Sequence, residues 1–186
     1  KCYWLKVHEI PPGGRASRGR AIVNMLGTEP GERIKAFVSV KNFDDDHNII
    51  MATKKGKIKK TSLAAYGNPR KGGIYAIKIN EGDELIEARI TNGDNDIILG
   101  TREGKSIRFS ETDARPQGRN TQGVTGIKLS AKQDCVVGMV VVKREGTILV
   151  ATEKGFGKRT DVIAFRVQKR AGMGVISSNG VIGTVK

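Results

Sequence analysis

Ala151-Thr-Glu-Lys-Gly-Phe-Gly-Lys-Arg-Thr160 decides how this chain folds, because the chain repeats it. It recurs as Ala52-Thr-Lys-Lys-Gly-Lys-Ile-Lys-Lys-Thr61 and as Gly100-Thr-Arg-Glu-Gly-Lys-Ser-Ile-Arg-Phe109. An apolar run precedes each copy: Ile49-Ile50-Met51, Ile97-Ile98-Leu99 and Ile148-Leu149-Val150. A glycine falls three residues after the shared threonine (Gly56, Gly104, Gly155), and a cation four residues after that glycine (Lys60, Arg108, Arg159). An apolar run, two charged residues, a glycine and a basic run predict a strand, a tight turn and a second strand. The glycine supplies the positive φ such a turn needs.

The hairpin glycines recur at about 50 residues, a spacing that signals a propeller, solenoid or array. Each hairpin leads into a basic, glycine-containing loop: Asn68-Pro-Arg-Lys-Gly-Gly73, Arg115-Pro-Gln-Gly-Arg-Asn-Thr-Gln-Gly123 and Lys169-Arg-Ala-Gly-Met-Gly174. Strand-like runs follow, Ile74 to Ile79 with Leu85 to Ile90, and Val124 to Leu129 with Cys135 to Val142. Residues 1–42 read as the back of another unit. Lys1 to Val7 would be its second hairpin strand, Pro11 to Arg20 its basic loop, and Ala21 to Leu26 and Ile34 to Val40 its later strands. Gly19, Gly123 and Gly174 then hold the same place in their units. The reading gives an all-β chain of approximate units 1–42, 43–93, 94–146 and 147–186, with both ends reading as cuts through a longer array. The last unit is short, since Val181 follows Gly174 sooner than Leu85 follows Gly73. Either its connection is abbreviated or residues are absent between Ile176 and Ser177. Helical periodicity is confined to at most a turn at Thr61 to Tyr66 and another at Asp161 to Phe165.

A net charge of +14 and a pI near 10 are spread along all four units, without a basic tail. Such an excess favours a polyanionic partner, nucleic acid before an acidic protein or a membrane surface. Scarce aromatics argue against the stacking platforms of single-strand and RNA binders, and no recognition helix or zinc spacing is present. Cys2 and Cys135 stand far apart and read as small apolar strand residues in a reducing cytosol. The longest apolar run, Cys135 to Val142, is too short for a membrane-spanning helix.

Taken together, Tyr3-Trp-Leu-Lys-Val-His-Glu-Ile-Pro11, Ser17-Arg-Gly-Arg-Ala-Ile-Val-Asn-Met25, Met51-Ala-Thr with Lys59-Lys-Thr61, Asn120-Thr-Gln-Gly-Val124 and the opening decapeptide resemble the C-terminal domain of DNA gyrase A. The resemblance covers nearly the whole chain. It implies a propeller-like β-pinwheel of four-stranded blades, about three and a half to four of them here. It also implies duplex DNA bent around a basic rim, with the rest of gyrase A and with gyrase B as partners. The strand-passage tyrosine, the ATPase, and the ATP and magnesium they use would lie outside this chain, leaving it a cytoplasmic, nucleoid-associated, non-enzymatic module without a cofactor. The family's gyrase box, Gln-Arg-Arg-Gly-Gly-Arg-Gly, is absent. That suits a fragment beginning after the first blade and leaves open the sister family, the corresponding C-terminal domain of topoisomerase IV, where the box is degraded. A propeller-like protein scaffold gripping an acidic partner is the alternative of a different class.

The candidate phosphate contacts are Arg15, Arg18, Arg20, Lys54, Lys55, Lys57, Lys59, Lys60, Arg70, Lys71, Arg102, Lys105, Arg108, Arg115, Arg119, Lys154, Lys158, Arg159, Lys169 and Arg170. The basic loops and second hairpin strands are expected to form the phosphate-facing edge. Trp4, Tyr3, Phe37, Phe109 and Phe165 are expected in blade cores or between blades. Other motifs carry less. Gly100-Thr-Arg-Glu-Gly-Lys-Ser106 imitates a phosphate-binding loop, but has one residue too few and runs into a strand where a helix is required. Asp44-Asp45-Asp46-His47 reads as a solvated loop before a metal site. Neither His8 nor His47 has a nucleophile partner in sight.

Overall fold

The computed structural model describes residues 1–179 and, as backbone, a strand at Ile182–Val185. The repeated stretches form the predicted hairpins. They are β1 (Asn48–Thr53) with β2 (Lys57–Ser62), β4 (Asp96–Thr101) with β5 (Lys105–Ser110), and β8 (Thr147–Thr152) with β9 (Gly157–Asp161). At each tip the glycine N–H donates to the carbonyl of the shared threonine, at 3.0, 3.1 and 3.0 Å. The glycines hold φ of 81°, 84° and 84°. The threonine hydroxyl closes the turn from the other side. Thr53, Thr101 and Thr152 Oγ1 accept from the amides of Lys57, Lys105 and Phe156 at 3.2, 3.3 and 3.2 Å. One threonine and one glycine therefore satisfy the turn's backbone three times over.

The first hairpin strand of each unit is flanked by a strand supplied later in the same unit: β3 (Leu85–Thr91), β7 (Val136–Val142) and β11 (Ile182–Val185). The outer strands come from the next unit. Sheet one runs β3-β1-β2-β6, where β6 is Val124–Thr125, and sheet two runs β7-β4-β5-β10, where β10 is Val175–Ile176. Sheet three runs β11-β8-β9. Every strand pair is antiparallel, and Lys57 faces Thr125 while Ser106 faces Val175. β3, β7 and β11 pack beside one another. The three sheets therefore fan outward from that inner edge, and β6, β10 and β9 form the outer one.

Burial on both faces explains the apolar runs, since a strand covered on two sides has no polar alternation. Ile50 faces sheet two, in a core with Ile58, Ile97, Leu99, Ile107 and Phe109. Its neighbours Ile49 and Met51 face the other way, onto Leu63, Tyr66 and Ile74. Ile98 likewise points away from Ile97 and Leu99, toward Ile148, Val150, Val162 and Phe165.

Residues 1–42 cover the free face of sheet one with little regular structure. Lys1 to Val7, expected as a strand, pairs only at Cys2, which bridges Ile74. Ile34 to Val40, also expected as a strand, alternates half-buried and exposed positions and packs Ala36, Val38 and Val40 on the core, yet joins no ladder. Ala21 to Leu26, the third strand expected here, instead holds a 3-10 turn at Ile22–Asn24. Among the described residues no hairpin offers these segments a backbone edge. Ile74 to Ile79 keeps only the Cys2 bridge, and Val124 to Leu129 shrinks to β6 plus a bridge from Ile127 to Gly172. The expected single turns appear as 3-10 turns at Leu63–Tyr66 and Val162–Ala164. Val181, the expected match of Leu85, lies outside the described residues; β11 begins one residue later, with Ile182 paired to Thr152.

Candidate nucleic-acid interface

Each basic loop runs along the second hairpin strand of the preceding unit before its short strand joins that edge. Asn68 to Gly73 leads into Ile74 beside Cys2. Arg115 to Gly123 passes Lys60, bridged at Pro116, and enters β6. The loop of Lys169 to Gly174 follows a bridge between Arg108 and Val167 and enters β10. The second and third loops therefore occupy equivalent places at the outer edges of sheets one and two, and the first lies in the same way against the irregular residues 1–7. Their last glycines make this approach possible. A Cβ on Gly123 would sit 2.2 Å from the Ile58 carbonyl oxygen, and one on Gly174 would sit 2.6 Å from that of Ser106.

The cations divide by what they touch. Arg70, Lys71, Arg115 and Lys169 project from these loops into solvent, and Arg15, Arg18 and Arg20 are exposed on the separate loop of Pro11 to Arg20. Lys154, Lys158 and Arg159 are exposed on the third hairpin. Lys54, Lys55 and Arg102 are exposed too, but acidic neighbours engage them at the hairpin tips. Lys54 Nζ donates to Glu84 at 3.1 Å, Lys55 Nζ to the Glu81 carbonyl at 2.9 Å, and Arg102 to Glu153 at 3.0 Å. The bond to Glu84 raises the Lys54 pKa. The bonds from Lys35 and then Lys54 lower that of Glu84.

Lys57 and Lys105 are half-buried, and Lys57 Nζ donates to Thr125 Oγ1 at 3.1 Å. Arg119 is half-buried as well.

The second strands of the first two hairpins, β2 and β5, do not face outward as expected, whereas β9 does. Lys59 and Lys60 are buried, at 1% and 5% exposure. Lys59 Nζ donates to the carbonyls of Ala76, at 2.5 Å, and of Arg119. No carboxylate answers its charge among these bonds. Burial first, and then the nearby Arg119 guanidinium, bring its pKa down to about 8. Lys60 Nζ donates to the Glu111 carbonyl at 3.0 Å and lies 3.7 Å from the buried Glu111 carboxylate. Arg108 pairs with Asp96 at 2.7 Å and donates through Nη1 to the carbonyls of Val162, at 2.9 Å, and Phe165, at 3.2 Å. Arg170 is spent similarly on the carbonyls of Asp113 and Thr125, at 2.8 and 3.1 Å.

Lys60 and Arg108 thus clasp one unit to the 3-10 turn of the next, and a donor at the equivalent place in the first unit does the same. Trp4 Nε1 donates to the Tyr66 carbonyl at 3.0 Å. The sequence flagged the repeat of this position but not its direction, because strand alternation across a two-sided sheet turns basic residues inward. Of the aromatics, Phe109 and Phe165 are core as expected, whereas Phe37 is 72% exposed.

The chain matches the family described as DNA gyrase C-terminal domain, beta-propeller, over residues 1–41, 47–92, 95–143 and 146–179. It belongs to that family. Among curated gyrase A relatives it is 46% identical to that of Buchnera aphidicola subsp. Baizongia pistaciae, covering 99% of this chain and 22% of the relative. It is 42% identical to that of Escherichia coli K12, over 100% of this chain and 22% of the relative. The chain therefore spans about a fifth of these relatives. A solved gyrase A C-terminal domain superposes with a TM-score of 0.82 at 26% identity, covering 97% of this chain and 59% of the other. A solved C-terminal domain of DNA topoisomerase IV gives 0.85 at 25%, covering 97% and 58%. The gyrase-type fold identifies the fanned sheets as propeller-like blades. Among the described residues no helix is long and apolar enough to cross a membrane, and no cluster of three or more His, Cys, Asp or Glu could hold a metal ion. His47 Nδ1 lies 2.7 Å from Asp44 within its own loop.

Proposed function

We propose that this chain is the DNA-binding and DNA-wrapping C-terminal part of gyrase A, within a type IIA topoisomerase. The observation that carries the reading is the set of basic loops lying at equivalent places on successive units, two of them at the outer edges of sheets one and two. Bending duplex DNA within its persistence length costs on the order of several kcal/mol for a 20–30 base-pair arc. Many phosphate contacts along a curved track offset that cost. The exposed loop cations supply such contacts without reading base sequence. Arg15, Arg18, Arg20, Arg70, Lys71, Arg115, Lys158, Arg159 and Lys169 carry the contacts. Lys59, Lys60, Arg108 and Arg170 hold the track together.

In the parent enzyme the wrap directs strand passage toward negative supercoils. The tyrosine, the ATPase, ATP and magnesium belong to the rest of gyrase A and to gyrase B, in the bacterial cytoplasm. The equally good superposition on a topoisomerase IV domain supports a second reading within the same class.

Linear duplexes of graded length test the function. Wrapping predicts affinity that rises with length until the rim path is filled, with labelled DNA ends drawing together by energy transfer. Length-independent binding with ends that stay apart defeats wrapping. Preference for an acidic protein over DNA defeats the reading altogether.

A further inference from the structure

The basic loops are laid one on the tail of another. The chain leaving the loop of Asn68 to Gly73 carries the loop of Arg115 to Gly123, through the Lys78 amide donating to the Thr121 carbonyl at 2.9 Å. The chain leaving that second loop carries the third, where the Lys128 amide donates to the Gly172 carbonyl at 2.8 Å. Counted from the closing glycines Gly73, Gly123 and Gly174, these are the same bond made twice.

Beyond that bond the two seams differ. At the second, the backbone supplies a further link, from the Ala171 amide to the Gly126 carbonyl at 2.7 Å. Ala171 holds φ at 64° to make it, the one non-glycine residue with positive φ among those described. At the first seam the carbonyl equivalent to that of Gly126 belongs to Ala76, and side chains take it: Lys59 Nζ at 2.5 Å and Tyr66 Oη at 3.3 Å. Lys59 Nζ also donates to the Arg119 carbonyl, inside the second loop. One ammonium therefore ties that loop to the segment beneath it, four residues past Arg115, with charge-assisted bonds.

The same place in the next unit shows that packing does not require an ammonium. Lys59 and Ile107 each lie three residues past a hairpin glycine, Gly56 and Gly104, and Ile107 is fully buried in the core. An isoleucine fills the place without taking a charge out of water, and an apolar residue in place of a buried ion is often neutral or stabilising. What Lys59 does that Ile107 cannot is donate to a carbonyl of the basic loop.

We infer that Lys59 is a positioning residue for duplex binding: it meets no phosphate itself, and it holds the loop of Arg115 to Gly123 so that Arg115 keeps a fixed place relative to Arg70 and Lys71 of the loop before it. The inference rests on the DNA-binding reading above and assigns to one buried side chain the alignment of two successive contact loops.

Hydrogen exchange and duplex titration of the whole chain, parent against Lys59→Ile, test it. The variant is expected to melt no lower than the parent. The amides of Gln117 and Lys78, which bond the loop to Lys60 and to Thr121, should exchange about tenfold faster or more. Duplex affinity should fall about fivefold to tenfold, and the slope of log K on log salt should flatten by about 0.9, the worth of one phosphate contact. Lys59→Met, which keeps an unbranched stem, reads the same quantities where branching at position 59 disturbs the fold. Arg115→Gln supplies the decisive arm. It costs the parent a contact and costs the Lys59→Ile chain little more, so the two losses do not add. Unchanged exchange and affinity in a folded variant overturn the inference, as does full additivity with Arg115→Gln. Affinity that falls only in step with the melting temperature makes Lys59 a residue of the core and overturns it too. A parent that binds no duplex defeats the reading beneath the inference, and the inference with it.

Discussion

Gly123 and Lys59 meet where the second basic loop lies on sheet one, and each makes a separate demand. A Cβ at position 123 would stand 2.2 Å from the Ile58 carbonyl oxygen and 2.9 Å from Lys59 Cβ, on a backbone already at φ 78°. Gly123→Ala is therefore expected to cost roughly 2–4 kcal/mol in denaturant unfolding. Gly118→Ala, in the same loop with nothing within 4 Å, should stay within about 0.5 kcal/mol of the parent. Lys59 sets a pH dependence. Its folded pKa, about 8, is below the ordinary 10.5, so the unfolded chain holds the proton more tightly. Stability accordingly rises as pH climbs from about 8 to 10.5, by roughly 1–3 kcal/mol from this group. Lys59→Met should flatten that rise in chemical denaturation followed across this window. The hairpin glycines Gly56, Gly104 and Gly155 were legible in the sequence, because a recurrent glycine after two charged residues has one common structural use. Lys59 was not. A lysine in a basic run looks solvated until the strand beside it proves to be covered on both faces.

The hairpins and inner strands could be read from apolar runs, but the two-residue outer strands could not. β6 and β10 are too short for any periodicity, and the chain they pair with lies in the preceding unit, as Lys57 with Thr125 shows. Residues 34–40 carry an alternating pattern and still form no strand, since alternation reports which side is buried and not whether a ladder partner exists. Glu111 went unnoticed for the opposite reason, as a single acid after a strand with no repeat behind it. It is fully buried and accepts from Thr91 Oγ1 at 2.7 Å and from the amides of Gly93 and Asn95 at 3.1 and 2.8 Å. Its carboxylate thereby fastens the turn from β3 into β4 while answering the Lys60 charge. Glu111→Ala strands a buried ammonium and three donors, and should destabilise the fold by about 3–5 kcal/mol. Calorimetric unfolding would register it as a large fall in Tm, with Glu111→Gln falling less.

Over the whole molecule the charge that looked uniform along the sequence separates into an outward set and an inward set. The outward set governs association with a polyanion. Replacing Arg70, Arg115 and Lys169 together by Gln should weaken duplex binding and flatten the dependence of log K on log salt by up to about 0.9 for each phosphate no longer neutralised. Fluorescence titrations between about 50 and 200 mM salt would measure both. The melting temperature should hardly move, because these side chains bear on nothing in the fold. The distinction between the sets was invisible before the sheets were assembled, since both obey the same local motif.

Because each sheet is finished by a piece of the following repeat, the gene's period and the molecule's period are out of phase. An in-frame excision from one hairpin glycine to the next would fuse a severed sheet to an equivalent acceptor, in which β5 and β7 take the places of β2 and β3 beside β1. A cut made around a finished sheet would ruin two seams. Such a chain can lengthen or shorten by whole turns of its repeat through ordinary recombination, altering how far its rim extends without redesigning a single joint.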